Sequence, residues 1–332
     1  MTEMTYRQAA ARAIAEEMAR DSRVVLLGED VAAAGGVFKA TEGLLATFGP
    51  ERVRDTPISE QAIIGAAIGA SLNGLRPVAE LMFADFAAVA FDQIANQLAK
   101  YRYMTGGQVK VPVTIRLVGG AGMGFGAQHS QATENWFLNI PGLQIATPGT
   151  PADLVGVLKT AIRSDDPVLV FEHKALYALK GDVPDGEVLI PLGSAAVVIE
   201  GTDLTILATQ LMRQRAQKAA EALKARDVSV ELIDPRSLVP FDFETVKRSV
   251  KKTGRVLVVQ ESPFAGSWAA TTVGQLVAEC FDWLEAAPTV VCAPKTPIPF
   301  AETLERRWIP AEQDIVEAAM QLLAGKRAAM AT

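Results

Sequence analysis

The chain of 332 residues has only two cysteines and two histidines. Cys280 and Cys292 stand at no metal or redox spacing, which argues for a reducing compartment and against a disulfide framework. So few histidines, with no paired cysteines, argue against a zinc site built from this chain's own side chains. No Gly-x-Ser-x-Gly elbow is present, so a serine hydrolase has no nucleophile turn to build on. The start, Met1-Thr2-Glu3-Met4-Thr5-Tyr6-Arg7, lacks the apolar core of a signal peptide, and no run reaches membrane-spanning length. Lysine and arginine are scattered and the net charge is -6, so no basic stripe invites nucleic acid. What remains, 49% hydrophobic and 21% charged residues, is enough for two cored domains. The expectation is a cytoplasmic globular protein with neither a nucleic-acid nor a membrane partner.

Hydrophobic periodicity predicts alternating helices and strands. A helix is expected at Tyr6–Arg20, a buried strand at 24–27, a short helix at 41–48 and an apolar helix at Glu60–Leu72. A strand at 78–81, a long helix at 86–103 and a strand at 113–118 follow. Next come a strand at Gln144–Ala146, a helix at 152–164 and a strand at 168–172. Such alternation indicates an α/β fold, with a parallel sheet covered by helices on both faces. A polar stretch at 180–193 bearing proline and glycine looks like a linker. Beyond it, strands at 204–209, 228–233, 255–260 and 289–292 alternate with helices at 213–226, 267–281 and 315–323. These form a smaller α/β domain. The expected boundaries are 1–184, a linker at 185–195, and 196–332.

Several residues could carry chemistry. Glu60 opens a helix whose residues after Gln61 are apolar or tiny on every face, so the helix is expected to be buried all round. An apolar setting favours the neutral acid there, whereas helix-end amides favour the anion. A carboxylate between those pulls suits proton exchange with a bound heterocycle, although simple helix capping explains it equally well. His129 lies in Gln128-His129-Ser130-Gln131, after the glycine-rich stretch 119–126. That is a good active-site loop, and a solvated loop histidine fits it too. His173 ends a strand, where a structural role is the stronger reading. Met82-Phe83-Ala84-Asp85-Phe86 follows a strand, at the edge where open α/β sheets bind ligands, and an aromatic there offers a flat face. Gly122-x-Gly124-x-x-Ala127 loosely matches a dinucleotide fingerprint, but no apolar helix follows it.

Six segments resemble one family. They are Gly28-Glu29-Asp30-Val31, Asp55-Thr56-Pro57-Ile58-Ser59-Glu60, Gly74-Leu75-Arg76-Pro77, Phe91-Asp92-Gln93-Ile94, Ala127-Gln128-His129-Ser130-Gln131 and Pro141-Gly142-Leu143. Together they look like the beta subunit of the thiamine-diphosphate-dependent decarboxylase component of 2-oxo acid dehydrogenase complexes. The resemblance implies a transketolase-like pyrimidine-binding domain followed by a transketolase-type C-terminal domain. It implies that Glu60 hydrogen-bonds the aminopyrimidine ring nitrogen and so helps generate the carbon nucleophile. It also implies Phe86 packed on that ring with Met82 beside it, Glu29 in the proton network, and His129 facing substrate and lipoyl group. A structural potassium ion is implied on backbone oxygens around Val113, Ala161, Ile162, Ser164 and Asp166.

The chain departs from the family pattern at Arg54 and in the 119–126 loop. It also lacks the Gly-Asp-Gly and paired asparagines that carry magnesium and the diphosphate in this cofactor family. It is therefore expected to need an alpha subunit, in a heterotetramer of two alpha and two beta chains, and to serve a lipoyl acyltransferase core. Residues 279–285 and the last helix are plausible docking surfaces for that core. Gly35-Gly36-Val37-Phe38-Lys39, Glu80-Leu81-Met82-Phe83-Ala84-Asp85-Phe86 and Phe171-Glu172-His173-Lys174 look closer to acetoin than to pyruvate dehydrogenase beta subunits, and Gly35-Gly36-Val37-Phe38 and Phe83-Ala84-Asp85 also resemble the branched-chain enzymes. Acetoin and pyruvate rank close together as substrates, with branched-chain 2-oxo acids third. A self-sufficient synthase and a non-catalytic docking subunit are the competing readings.

Overall fold

A computed structural model describes residues 1–325; residues 326–332, the end of the expected second domain, lie outside it. Contacts divide the chain into two compact units, one of Met1–Gly119 with Trp136–Leu192, the other of Gly120–Asn135 with the chain from Gly193 onward.

The first unit begins with β1 (Thr2–Thr5), α1 (Tyr6–Arg20), β2 (Val24–Gly28), α2 (Leu44–Phe48), β3 (Val53–Asp55), α3 (Glu60–Leu72) and β4 (Arg76–Leu81). It continues with α4 (Tyr101–Met104), β5 (Thr114–Gly119), β6 (Gln144–Ala146), α5 (Pro151–Arg163), β7 (Val168–His173) and β8 (Lys180–Val183). Its main strands run β6-β7-β5-β4-β2-β3, every neighbouring pair parallel. Helix α1 starts at a Thr5–Gln8 capping box and packs on α5, where buried Glu17 takes two bonds from the Nε of Arg163 at 3.0 Å. The chain leaves β2 toward β3 on one side and leaves β4 toward β5 on the other. The sheet's order therefore reverses between β2 and β4, the position where open α/β sheets form a ligand crevice.

Three expectations need correction here. Helix α3 buries Ile63, Ile64, Ala67 and Ile68, but Gln61, Ala62 and Ala66 are exposed, so one face of small side chains is uncovered in the single chain. The long helix expected at 86–103 is instead a 3-10 turn at Ala84–Ala88, a π-helical stretch at Gln93–Leu98 and the short α4. Ala90, Ile94, Ala95 and Leu98 are buried along this stretch. The supposed linker starts as β8, which pairs antiparallel with β1.

The second unit contains β9 (Ala196–Ile199), β10 (Leu204–Ala208), α6 (Gln210–Lys224), β11 (Val230–Asp234), β12 (Ser237–Val239), α7 (Phe243–Thr253) and β13 (Val256–Val259). It ends with α8 (Trp268–Cys280), β14 (Thr289–Val291), α9 (Glu302–Trp308) and α10 (Glu312–Leu323). Its sheet runs β14-β13-β10-β11-β9, parallel except for the antiparallel β9. Leu204, Ile206, Leu232, Leu257, Ile315 and Leu322 lie in its core. The sequence reading missed α7. Its start and stop signals are present nonetheless: Asp242 caps the amide of Thr245 and Gly254 ends the helix in the left-handed region at φ 65°.

One buried ionic group ties the first sheet together. Arg116 on β5 donates through Nε to Glu172 Oε1 at 2.6 Å and through a terminal nitrogen to Oε2 at 2.8 Å, both on β7. Its other terminal nitrogen donates to Glu80 on β4, and the Tyr177 hydroxyl donates to Glu172 at 2.9 Å. Arg116 is completely buried. Burial alone would lower its pKa, but the two carboxylates hold it well above the usual arginine range. Replacing Arg116 by leucine would strand two carboxylates inside the sheet and is expected to cost roughly 3–5 kcal/mol, measurable by urea unfolding. Arg306→Ala, at the exposed pair with Glu302, should leave the same transition unmoved.

Candidate active site

The carboxyl ends of β3, β2 and β4 lie side by side, since Gly28 is paired with Asp55 on one flank and Glu80 on the other. Glu29 follows β2, Met82 follows β4, and Glu60 opens α3 shortly after β3. The turn that carries Glu29 is held from β3. Asp55 accepts from the amides of Ala32 and Ala33 at 2.7 and 3.2 Å, and the Thr56 amide donates to the Gly28 carbonyl at 3.0 Å. Gly28 must be glycine, because a Cβ there would stand 2.9 Å from the Glu80 carbonyl oxygen and 3.1 Å from its Cβ. The strands can therefore close up under the turn.

Glu29 and Glu60 are both almost buried, at 9% and 8% exposure. Burial raises the pKa of Glu29, and the charge of Glu60 raises it further, with Asp30 and Glu80 adding smaller pushes. The two carboxyls are thus electrostatic neighbours, and among the described residues neither is tied up in an ion pair. Half-buried Met82 and Phe86 flank Phe83. The Phe83 ring meets Phe86 edge-on at 6.0 Å and Phe38 edge-on at 6.0 Å, and Phe38 stacks on Tyr177 at 5.2 Å. Lys174, itself buried, lies 5.6 Å over the Phe83 ring. The aromatic row is thereby linked through Tyr177 to the Arg116 cluster. Two nearly buried carboxyls at the ends of β2 and β3, with aromatic and thioether side chains following the adjacent β4, are groups that suit a nitrogen heterocycle.

The remaining candidates belong to other elements. His129 is half-buried and belongs to the second unit, within Gly120–Asn135; no periodicity in the sequence signals that this segment joins the later unit. His173 is buried at the end of β7, and its Nδ1 accepts from the Ala175 amide at 3.2 Å, in keeping with a structural role. The five backbone positions suggested for a cation sit toward the amino ends of β5 and β7, opposite the acidic edge. The Ile162 carbonyl accepts from Arg76 Nε at 2.8 Å and that of Ser164 from another Arg76 nitrogen. The Val113 and Ala161 carbonyls accept from the amides of Val168 and Ser164 at 3.0 and 3.1 Å, and that of Asp166 from the Ser164 hydroxyl at 2.9 Å. Two of the five oxygens therefore already face the Arg76 guanidinium, whose positive charge stands where a cation's would.

Sequence reasoning passed over Glu80, Arg116 and Glu172. Part of the signal was available: Arg116 is a lone charge in the middle of the parallel strand β5, where burial requires an opposite charge on a neighbour.

Residues 2–180 match the model for the transketolase pyrimidine-binding domain, and residues 193–315 match the transketolase C-terminal domain. The chain is 46% identical to the beta subunit of acetoin:2,6-dichlorophenolindophenol oxidoreductase from Cupriavidus necator, covering 94% of this chain and 95% of that one. The chain belongs to the beta-subunit family of the acetoin and 2-oxo acid dehydrogenases. Two other members, a pyruvate dehydrogenase beta subunit from Chlorokybus atmophyticus and a 2-oxoisovalerate dehydrogenase beta subunit from Bacillus subtilis, are 42% and 43% identical. They are covered over 95% and 99% of their lengths, and cover 96% and 98% of this chain. A solved split-gene transketolase, described as an inactive beta4 tetramer, superimposes with a TM-score of 0.80 at 26% identity, covering 98% of this chain and 99% of its own. The two-domain transketolase-like fold of this beta subunit follows from both comparisons, and the family is thiamine-diphosphate-dependent.

The loop that carries His129 also contains Glu134, whose pKa is pushed up to about 7, chiefly by burial and further by the charge of Glu261. A carboxyl raised from 4.5 in this way contributes stability that is complete below pH 4.5 and lost as pH climbs through about 7. Glu134→Gln cannot ionise. Between pH 5 and 8 the wild-type chain is therefore expected to lose roughly 2–3 kcal/mol relative to this variant, read from urea unfolding at each pH.

Proposed function

We propose that this chain is the beta half of an enzyme that breaks a carbon–carbon bond of acetoin or pyruvate and passes the acetyl unit to lipoamide. Branched-chain 2-oxo acids are the third choice of substrate. The observation that carries the reading is the pairing of Glu60 and Glu29, both nearly buried and with the charge of Glu60 acting on Glu29, at the sheet's reversal point. When bound, thiamine diphosphate supplies the carbon nucleophile. Glu60 would hold a proton at the ring nitrogen of the aminopyrimidine, with Glu29 as its partner in proton exchange. Phe86, braced by Phe83, would fix the ring's plane, and Met82 would fill the space beside it. His129 would present a proton donor to substrate and lipoyl group.

An alpha subunit would bring magnesium and the diphosphate-binding element that this sequence lacks, in a heterotetramer of two alpha and two beta chains working in the cytoplasm with a lipoyl acyltransferase core. The uncovered face of α3 at Ala62 and Ala66 supports a partner chain, as does Ile58, 83% exposed just before Glu60. A potassium ion on the carbonyls of Val113, Ala161, Ile162, Ser164 and Asp166 would be structural.

The test is dye reduction by the chain co-purified with its alpha partner and supplied with thiamine diphosphate and magnesium, offering acetoin, pyruvate and 2-oxoisovalerate in parallel. One substrate should turn over. Glu60→Gln should lower that rate on the order of 100-fold or more. Full activity in this variant would remove Glu60 from the chemistry.

A further inference from the structure

We propose that Glu305, seconded by Glu261, is a positioning residue for His129, holding the backbone of its glycine-rich loop through paired carboxylate–amide bonds. The inference rests on the reading of His129 as a residue that faces substrate.

The loop is built in an unusual way. Gly120, Gly122, Gly124 and Gly126 all lie in the left-handed region, at φ 88°, 101°, 71° and 72°. Of the side chains between these glycines only Ala121 is buried, in the second unit's core, while Met123 and Phe125 are exposed; the glycines themselves pack nothing and lose more backbone entropy on ordering than any other residue. Alternate left-handed glycines turn successive amides toward one side, the arrangement that cups an anion. Here the anion is the chain's own. Glu305 on α9 accepts from the Gly122 amide through Oε1 at 2.8 Å and from the Gly124 amide through Oε2 at 3.0 Å. Glu261, just after β13, accepts from the Ala121 amide at 2.6 Å.

Both carboxylates are buried, Glu305 at 2% exposure and Glu261 at 6%. Charge-assisted bonds of this kind are about twice as strong as neutral ones, and burial spares them from solvent competition. Further bonds close the loop. The Gly120 amide donates to the Gln131 carbonyl at 3.3 Å. Asn135 donates to the Ser262 hydroxyl at 2.6 Å and accepts from the Trp268 amide at 2.8 Å. His129 thus sits between two fixed ends on a backbone that glycine alone would leave loose. A catalytic side chain needs its place held to a fraction of an ångström, and Glu305 supplies this at the segment least able to order itself.

The experiment uses the complete complex with the alpha partner, comparing Glu305→Gln, Glu305→Ala, His129→Ala and the double variant of Glu305→Ala with His129→Ala. Hydrogen exchange of residues 119–131 and steady-state kinetics are measured for each. In Glu305→Ala the loop amides should exchange at least about tenfold faster, with other segments unchanged. The kcat should fall on the order of 10- to 100-fold, with thiamine diphosphate affinity unaltered. Glu305→Gln has one amide oxygen to accept with, so a smaller change of the same kind is expected, and it serves if the alanine variant fails to fold. The double variant should be no slower than His129→Ala alone, because the two residues act as a unit.

Unchanged loop exchange in both Glu305 variants would overturn the proposal. So would a loosened loop with undiminished kcat while His129→Ala is impaired, or losses that multiply in the double variant. If His129→Ala turned over like the wild type, the reading of His129 itself would fall and take this inference with it. The exchange data would still report separately whether Glu305 holds the loop.

Discussion

Arg116 lies wholly inside the first sheet with a carboxylate from each flanking strand against it, and the order of β4, β5 and β7 depends on that arrangement. Apolar parallel strands have little to define which neighbour they take or in what register, because one run of valine and leucine packs much like another. A buried guanidinium with two carboxylates is not interchangeable in this way. Any slip would leave at least one charge in the interior without its counter-charge. Glu80 and Arg116 are direct register partners, and Glu172 reaches back from β7 with two oxygens. One cation against two acids also leaves Glu80 above its ordinary pKa, because burial favours the neutral form.

From this follows the acidic edge beyond it. With β4 held beside β2, the glycine at the end of β2 can close on Glu80, and the turn after it delivers Glu29 into the influence of Glu60. The same cluster holds the Tyr177 hydroxyl, and Tyr177 stacks on Phe38, which meets Phe83. The polar cluster and the aromatic row are one connected structure, so the rigidity of the proposed ring-binding surface comes from charges buried beneath it. Carboxylates act on backbone in the second unit too, where Glu261 and Glu305 accept from the amides of a glycine-rich segment.

Much of this was legible in the residues. The helix at Glu60–Leu72, the α1 helix and the parallel alternation could be read directly, because period and capping are local properties. Glu60 and the 82–86 segment stood out by their place at a helix mouth and after a strand, Glu29 only through the family resemblance, and these residues follow strands whose ends are neighbours. The 86–103 region was misread as one helix because its composition favours helix throughout, and nothing in it marks the breaks between the 3-10, π-helical and α-helical pieces. Helix α7 was missed although Asp242 and Gly254 bracket it. The ion cluster was missed because each charge, taken alone, merely interrupts a strand.

The sequence by itself determined the family and the alternation of strands and helices. It also determined which carboxylates stand at element ends, since these depend on residue type, spacing and neighbours a few positions away. Only the tertiary structure decided that Glu80, Arg116 and Glu172 meet, that Glu60 acts electrostatically on Glu29, and that residues 120–135 join the later unit under two carboxylates far along the chain. These are interactions between charges and amides brought together across long separations, and their energies depend on distance and burial, which no local pattern of residues encodes.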